Sequence, residues 1–277
     1  MVATGAFVGR DVITVGDFRR EEILFLLDAA ERFEGVTGTL LAGRVVAALF
    51  FEPSTRTRLS FEAAVGRLGG ACIGFAEAGV SSKSKGENLA DTVRVVEGYS
   101  DLLLIRHPRE GAARLAAEFP AIPVVNCGDG AHQLPAQTFV DLYTIRRECG
   151  RLEGLHVVFA GDLRYGRAVH SLVNVLSMFD ARITLVSPGF LRLPAEHRRA
   201  MESRGVEYRE AENLDLGILK KARDEVVILH PLPRVREIAP EVDAHPHAAY
   251  FRQAHYGVAV RKALLALLLG AAEKVLG

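Results

Sequence analysis

Short apolar runs rich in strand-forming residues alternate along the chain with segments of helical periodicity. The run from Arg44 to Phe51 follows a segment, Arg20 to Phe33, whose apolar residues recur at helical spacing. The alternation then continues with predicted strands at Ala71 to Phe75, Leu102 to Ile105 and Val124 to Asn126, and predicted helices at Arg58 to Leu68, Asn88 to Tyr99 and Glu110 to Glu118. This order is typical of a parallel sheet flanked by helices.

A second set of the same kind follows a long predicted helix from Pro135 to Cys149. Its strands are predicted at His156 to Ala160, Arg182 to Val186 and Val226 to Leu229, and its helices at Arg167 to Phe179 and Pro194 to Ser203. We therefore predict an α/β protein of two domains, 1–147 and 148–253, each with a parallel sheet flanked by helices. The final segment, 254–277, is long enough to pack back onto the first domain.

The composition excludes several classes of function. Lysine plus arginine and aspartate plus glutamate both number 34, so no global basic field is available for nucleic acid or an anionic membrane. The start lacks the pattern of a secretory signal, and the apolar run Ala263 to Leu269 is too short to span a bilayer, so we expect a cytoplasmic protein. Three separated cysteines indicate neither a disulfide framework nor a zinc site.

The most informative stretch runs from Phe51 to Glu62 and contains Ser54-Thr55-Arg56-Thr57-Arg58. It leaves an apolar strand, turns at Pro53 and opens a helix. The first N–H groups of a helix lack partners and lie at its positive end, so small hydroxyl residues and an arginine there can hold a phosphate. The alternative for any single Ser-Thr pair is a simple helix cap with solvated arginines.

Other segments carry weaker signals of their own. Arg106 ends a predicted strand, where open parallel sheets bind ligands, although a surface ion pair is equally compatible. The turn from Gly161 to Ser171 is glycine-rich, but its glycines lack the G-x-G-x-x-G spacing of a dinucleotide site. The polar stretch Ser81 to Glu87 is by itself a solvated loop.

In this order, the motifs resemble those of the aspartate and ornithine carbamoyltransferase family, and the resemblance extends over most of the chain. It implies carbamoyl transfer from carbamoyl phosphate to the amino group of L-aspartate, a step of pyrimidine biosynthesis, without a metal or an organic cofactor. The implied catalytic residues are Arg56, Thr57 and Arg106. The implied substrate-binding residues are Ser54, Thr55, Arg56, Thr57, Ser81, Lys85, Arg106, Gln137, Arg167, Leu232 and Pro233.

The resemblance also implies individual roles. The cradle binds phosphate, Arg106 binds phosphate and the carbonyl oxygen, and Arg167 binds the α-carboxylate of aspartate. Gln137 and the carbonyl of Leu232 bind the carbamoyl amine. Ser81 and Lys85 match residues that reach a neighbouring subunit's site, which implies a homotrimer with shared sites. Regulatory or dihydroorotase-like subunits are left open as further partners.

Two departures from the family pattern concern turnover and the acceptor. The family has a histidine before Pro135 that donates to the carbamoyl oxygen, whereas this chain has Leu134; His132 lies nearby. Between Glu207 and Val226 the chain lacks the Thr-Arg-x-Gln strand end and mobile loop that bind the aspartate side chain, for which Arg209 or Arg234 could partly substitute. Two alternatives stay open: transfer to another amine, and a carbamoyl-phosphate-binding homologue with impaired catalysis.

Overall fold

Four parallel strands form the first sheet of the computed structural model, which describes residues 2–76, 86–211, 226–234 and 237–277. The strands lie in the order β2-β1-β3-β4. Their bounds are β1 Val45–Phe50, β2 Ala71–Phe75, β3 Leu102–His107 and β4 Val124–Asp129. The helices before and between them are α1 Arg20–Arg32, α2 Thr55–Arg67, α3 Leu89–Glu97 and α4 Ala112–Ala117.

The first sheet is covered on both faces, as its uninterrupted apolar strands predict. Successive side chains of a strand point to opposite faces. In β1, Val46, Ala48 and Phe50 therefore join the main core, whereas Ala47 and Leu49 join a second core that includes residues of α3 and α4. Strand β2 differs, because it lies at an edge and is largely exposed.

A long helix, α5 (Pro135–Cys149), leads from the first sheet to the second. The second sheet contains β5 His156–Ala160, β6 Arg182–Val186 and β7 Tyr208–Ala211, all parallel and in the order β5-β6-β7, with helices α6 Arg167–Leu176 and α7 Ala195–Ser203. The predicted α/β class with two helix-flanked parallel sheets is thus confirmed.

The prediction of a strand at Val226 to Leu229 is wrong. Tyr208–Ala211, which the sequence did not single out as a strand, occupies the place beside β6. The later segment instead makes an isolated bridge between Ile228 and Ala248, with the Ile228 amide donating to the carbonyl of His247 at 2.8 Å. Its backbone is therefore tied to the chain that precedes the C-terminal helix, and it continues into the loop that starts at His230.

The C-terminal part forms α8 (Tyr250–Leu268) and a short α9 (Glu273–Leu276). Helix α8 packs against α1, α2 and α5, and its buried residues include two cations, Arg261 and Lys262. The Lys262 ammonium donates to the carbonyls of Glu34 and Val36 at 2.9 and 2.7 Å, which satisfies a charge that is otherwise costly to bury. Among the described residues, no helix combines the length and apolar character needed to cross a membrane.

Gly74 offers a test of how closely β1 and β2 approach. Its φ is 137°, and a Cβ there would overlap the backbone carbonyl of Ala48. We expect Gly74→Ala to lower the free energy of unfolding by about 2 kcal/mol or more, because both the dihedral and the overlap oppose a side chain. The matched control is Gly66→Ala in α2, where a Cβ meets open space. It should be neutral or stabilise by up to about 1 kcal/mol. Urea unfolding that gives the same midpoint for both variants would contradict this account.

Candidate functional site

Helix α2 begins within the serine- and threonine-rich motif, so that Thr55, Arg56 and Thr57 form its first turn. Ser54 is the N-cap residue, and its side chain makes no capping hydrogen bond. The hydroxyl of Ser54 and the first N–H groups of the helix thus remain available to a ligand, at the positive end of the helix dipole. This geometry is the one expected for a phosphate cradle.

The two arginines of this motif have different environments. The Arg58 side chain donates to Glu62 one turn later, at 2.6 Å. Arg56 is exposed and has no ion pair with any residue that the structure describes. Partial burial of the guanidinium lowers the pKa of Arg56, but an arginine stays charged at neutral pH. Of the two arginines of the motif, Arg56 is therefore the one that has no carboxylate partner among the described residues and can bind an anion.

A carboxylate lies between two further arginines beside the cradle. Glu52 Oε1 is 2.5 Å from Arg106 Nη2 and 2.6 Å from Arg167 Nη2. Arg106 is the next-to-last residue of β3 and Arg167 is the first of α6, so the cluster connects the carboxyl edge of the first sheet to the start of a helix of the second. Burial, followed by the positive charge of Arg167, lowers the pKa of Arg106 to about 10, and Glu52 opposes that change.

Close approach of these arginines to the backbone of β4 depends on Gly128. A Cβ at this position would lie 3.0 Å from Arg106 Nη1 and 3.2 Å from Arg167 Cζ, and its φ is 119°. Arg106 donates to the carbonyl of Cys127 at 3.1 Å, and Arg167 donates to that of Gly130 at 2.8 Å. The end of β4 therefore fixes the direction of both guanidinium groups.

Leu134 stands at the N-cap of α5 and is buried. Its amide donates to Ser171 Oγ at 2.9 Å, and that hydroxyl donates to Gln133 Oε1 at 2.9 Å. His132, the nearby histidine, pairs with Asp129 at 3.3 Å, and the hydrogen bond to that carboxylate raises the pKa of His132. Position 134 thus has an apolar side chain held firmly in place.

The loop from His230 to Arg234 lies near the cradle. Burial lowers the pKa of His230, and smaller contributions in the same direction come from the positive charges of Arg234 and Arg56. The Leu232 amide donates to His230 Nδ1 at 2.8 Å, and Leu232 has a φ of 52°, which is uncommon for a bulky residue. Backbone held in such a conformation is often found at ligand sites.

The structure does not support Arg209 or Arg234 as a substitute for the family segment that binds the aspartate side chain. Arg234 is bound by both oxygens of Asp243 and contacts the Tyr250 hydroxyl at 3.1 Å. Arg209 lies within the edge strand β7 opposite Thr184, before the carboxyl end of the strands where α6 begins. The charge of Arg234 is therefore already neutralised by a carboxylate, and Arg209 is on the wrong part of the sheet.

The structure brings most of the predicted residues to one edge of the first sheet. Arg106 and Arg167 meet at Glu52, two residues before the cradle begins. The charge of Arg56 reaches His230 in the loop that contains Leu232. Gln137 is linked to this loop through Asp141, which accepts from Gln137 and Gln253, and Gln253 in turn accepts from the amide of His230. Ser81 and Lys85 lie outside the described residues, as does most of the stretch between Glu207 and Val226. Among the described residues, no group of three or more potential ligands could hold a metal ion.

Glu52 was not assigned a role from the sequence, although it stands in the motif itself. One signal could have identified it, since an acidic residue that directly follows a buried strand at the carboxyl edge of a sheet lies where arginines from neighbouring strands converge. Asp141 and Gln253 carried no such signal, because they are 112 residues apart.

Comparisons with known proteins agree with this geometry. The family model described as aspartate/ornithine carbamoyltransferase, carbamoyl-P binding domain, matches residues 10–147, and the model for the Asp/Orn binding domain matches residues 206–268. The aspartate carbamoyltransferase catalytic subunit of Methanosarcina acetivorans is 48% identical, with 96% of this chain and 99% of that protein covered. That comparison runs over 307 residues, whereas this chain has 277, so the relative has residues without a counterpart here.

Solved structures are also similar. Aspartate transcarbamoylase from Trypanosoma cruzi in complex with carbamoyl phosphate and aspartate has a TM-score of 0.90 and 34% identity, covering 97% of this chain and 99% of that one. The catalytic subunit of M. jannaschii aspartate transcarbamoylase has a TM-score of 0.86 and 42% identity, covering 94% and 98%. The similarity in fold therefore extends over nearly all of both chains.

Removal of the shared carboxylate should destabilise the protein. We expect Glu52→Ala to lower the free energy of unfolding by about 2 kcal/mol in phosphate-free buffer at neutral pH, because Arg106 stays buried without its partner and beside Arg167. Added inorganic phosphate should raise the free energy of unfolding of Glu52→Ala more than that of the unsubstituted protein, since it supplies a replacement anion. Denaturant unfolding with and without phosphate measures both effects.

The matched control is Glu62→Ala, which removes the carboxylate of the Arg58 pair on the side of α2. Such a pair contributes about 0.5 kcal/mol or less. Equal losses for the two variants, or no loss for Glu52→Ala, would show that the shared carboxylate does not hold the arginine cluster together.

Proposed function

The chain belongs to the aspartate and ornithine carbamoyltransferase family, and on that premise we propose that it transfers the carbamoyl group of carbamoyl phosphate to L-aspartate, giving N-carbamoyl-L-aspartate and phosphate. The observation that carries the proposal is the uncapped, positively charged start of α2 beside a buried strand-end arginine, Arg106. Phosphate and carbonyl oxygen are the two parts of carbamoyl phosphate that such groups bind. The T. cruzi relative with carbamoyl phosphate and aspartate bound supports both substrates.

We assign the donor substrate to the carboxyl edge of the first sheet. Ser54, Thr55, Arg56 and Thr57 hold the phosphate, and Thr57 and Arg106 polarise the carbonyl oxygen as it gains negative charge. Thr57 and Arg106 are both buried, so the hydroxyl dipole of Thr57 and the charge of Arg106 act where water screens them little. The site would accelerate the reaction by orientation and charge stabilisation rather than by a nucleophilic side chain.

The amine of carbamoyl phosphate would donate to Gln137 Oε1 and to the carbonyl of Leu232, the residue before Pro233. The aspartate would bind through its α-carboxylate to Arg167, whose planar guanidinium suits a carboxylate. Its amino group attacks the carbonyl carbon, a tetrahedral intermediate forms, and phosphate departs as the C–O bond breaks. The departing phosphate is a suitable acceptor for the proton that the amine loses.

In this scheme, residues 1–147 bind carbamoyl phosphate, residues 148–253 bind the amino acid, and 254–277 return to the first domain. Contacts of α8 with α1, α2 and α5 support that division. The enzyme would be a cytoplasmic member of pyrimidine biosynthesis, without a metal or an organic cofactor.

One alternative acceptor is favoured by a specific observation. The M. acetivorans relative is longer than this chain, and the family segment that binds the aspartate side chain has no counterpart between Glu207 and Val226. A carbamoyltransferase for another amine would keep the donor site and Arg167 unchanged. A screen of amines is therefore part of the experiment below.

A homotrimer is proposed from the same family relationship. The undescribed segment with Ser81 and Lys85 follows the exposed edge strand β2, and the elements on either side of it carry exposed apolar side chains: Ile73 of β2, and Val95 of α3 with Tyr99 just beyond it. Exposed apolar side chains at a sheet edge suit an interface.

The first prediction of this proposal concerns transfer itself. Purified protein should form carbamoyl aspartate from carbamoyl phosphate and aspartate, and more slowly or not at all with ornithine or other amines. Arg56→Ala should lower kcat/KM for carbamoyl phosphate by about a hundredfold or more, because the cradle loses its free cation. Arg58→Ala is the matched control and should stay within about threefold, since that arginine pairs with Glu62.

The absence of carbamoyl aspartate would contradict the proposal for aspartate, and turnover of another amine would identify that amine as the acceptor. If no amine reacts, Leu134→His separates two cases. Recovered turnover indicates a site that lacks one oxyanion donor, a loss of about a hundredfold or more in rate. Continued inactivity, with carbamoyl phosphate still bound, indicates a binding homologue.

The second prediction concerns assembly. Sedimentation equilibrium should give a mass three times that of the 30.1 kDa chain. Because Lys85 would act in a neighbour's site, mixing subunits of inactive Arg56→Ala and Lys85→Ala variants should regenerate some sites with both residues intact, and activity should reappear. A stable monomer with full activity would exclude the shared site.

A further inference from the structure

Asp141 is a buried carboxylate that the proposed reaction does not use. It lies on α5, one turn after Gln137, and is 4% exposed. Its Oδ1 accepts two hydrogen bonds, from Gln137 Nε2 and from Gln253 Nε2, both at 2.7 Å. A single oxygen thus binds an amide of α5 and an amide of α8.

The Gln253 amide continues the network to the loop of Leu232. Gln253 is 2% exposed, and its Oε1 accepts from the backbone amide of His230 at 3.0 Å. His230 Nδ1 in turn accepts from the amide of Leu232 at 2.8 Å. Asp141 is therefore connected by hydrogen bonds to both groups that would accept from the carbamoyl amine, the Gln137 side chain and the Leu232 carbonyl.

We propose that Asp141 is the positioning residue that turns both acceptors of the carbamoyl amine toward the ligand; this inference rests on the proposed function. A glutamine amide presents either a donor or an acceptor, whereas the carbamoyl amine requires an acceptor. Because an ionised carboxylate only accepts, Asp141 draws the Gln137 Nε2 toward itself and leaves Oε1 for the ligand. Among the described residues, no group donates to Oε1, and Gln137 is only half-buried.

The charges around Asp141 are consistent with an ionised carboxylate at neutral pH. Burial raises the pKa of Asp141 to about 6, and the hydrogen bonds from the two glutamines and the charge of Arg261 oppose that rise. Arg261 is itself buried on α8, four residues after Gly257. Arg261 also faces the Cys127 thiol, which is neutral at neutral pH because burial raises the pKa of that thiol to about 12.

A purely structural role predicts a different arrangement. A contact that only joined α5 to α8 would need Asp141 and Gln253, and Gln137 could then face solvent. Instead the same oxygen binds the amide of Gln137, and the partner of Gln253 is the backbone of the active-site loop rather than α8. A site built to bind an N–H discriminates strongly against a ligand that lacks it, so discrimination is the property that this network controls.

Two phosphonates test the inference directly. Phosphonoacetamide carries the carboxamide NH₂, and 2-oxopropylphosphonate carries a methyl group in its place. Calorimetric titration of the unsubstituted protein should show preference for phosphonoacetamide. In Asp141→Ala that preference should fall about tenfold, corresponding to about one hydrogen bond at each acceptor, while 2-oxopropylphosphonate binds within about twofold of its original affinity.

Three further variants separate the possible causes. Asp141→Asn keeps an acceptor oxygen and should leave the preference unchanged. Gln253→Leu releases only the Leu232 loop and should lose about half of the effect on a logarithmic scale, about threefold. Thr144→Val is the matched control, because it removes a buried hydroxyl of α5 whose one hydrogen bond among the described residues is to the carbonyl of Val140 in its own helix. It should change neither affinity.

Each outcome decides the question. Weaker binding of both phosphonates by the same factor in Asp141→Ala and Gln253→Leu, or an unchanged preference, would overturn the positioning role while the proposed function stands. If the unsubstituted protein binds neither phosphonate and transfers no carbamoyl group, the inference falls together with the proposed function. Should Asp141→Ala not fold, Gln253→Leu and Asp141→Asn still give opposite expected results.

Discussion

The arrangement of the site depends on one carboxylate, Glu52, which allows two guanidinium groups to lie side by side. Like charges at this distance repel, and the repulsion is strong where water is excluded. Glu52 offsets it by accepting from Arg106 and Arg167 with the same oxygen. Because Arg106 ends a strand of the first sheet and Arg167 starts a helix beside the second, the same carboxylate also fixes how the two sheets meet.

Helix α6, which begins at Arg167, makes further contacts with the first domain. His170, three residues after Arg167, contacts the carbonyls of Ala131 and Leu163 through its two ring nitrogens at 2.8 and 2.9 Å. Ser171 accepts from the amide of Leu134. One face of α6 is thus tied to the loop that connects β4 to α5, and this loop carries the residues that precede Gln137. The geometry of the acceptor side is therefore linked to that of the donor side through α6.

The sequence predicted those parts of the molecule that local patterns determine. Buried parallel strands such as β1 and β3 are continuous apolar runs, and the start of α2 is marked by its own hydroxyl residues, so the sheets, the cradle and Arg106 could be identified. The strand Tyr208–Ala211 could not be predicted, because this short edge strand contains Arg209 and Glu210 and lacks an apolar run. Conversely, Val226 to Leu229 has the apolar run, but pairing requires a free place beside another strand.

The difference between local patterns and distant contacts also explains which residues of the candidate site the sequence did not identify. Ser54 and Arg56 lie at the start of one helix, whereas Glu52 meets Arg167 across 115 positions and Asp141 meets Gln253 across 112. Glu52 has one local signal, its position just after a buried strand, whereas nothing in the local sequence marks Asp141. A buried aspartate in a helix is recognisable as functional only when its hydrogen-bond partners are known, since a structural role would leave the same residue type in the sequence.

The proposed carbamoyl site offers a more complete set of hydrogen-bonding groups to the amine than to the carbonyl oxygen. On the amine side, Gln137 and the Leu232 loop are connected by a largely buried hydrogen-bond network, and such networks hold side chains in one orientation. On the carbonyl side, Thr57 and Arg106 are available, but Leu134 has no donor to offer. Because ground-state binding needs the amine and phosphate contacts while the developing oxyanion needs the carbonyl contacts, this chain should bind carbamoyl phosphate well relative to the rate at which it transfers the carbamoyl group. In the proposed reaction, Arg106 would carry most of the stabilisation of the transition state, and its orientation by Glu52 and Gly128 would then be the critical feature of the catalytic step.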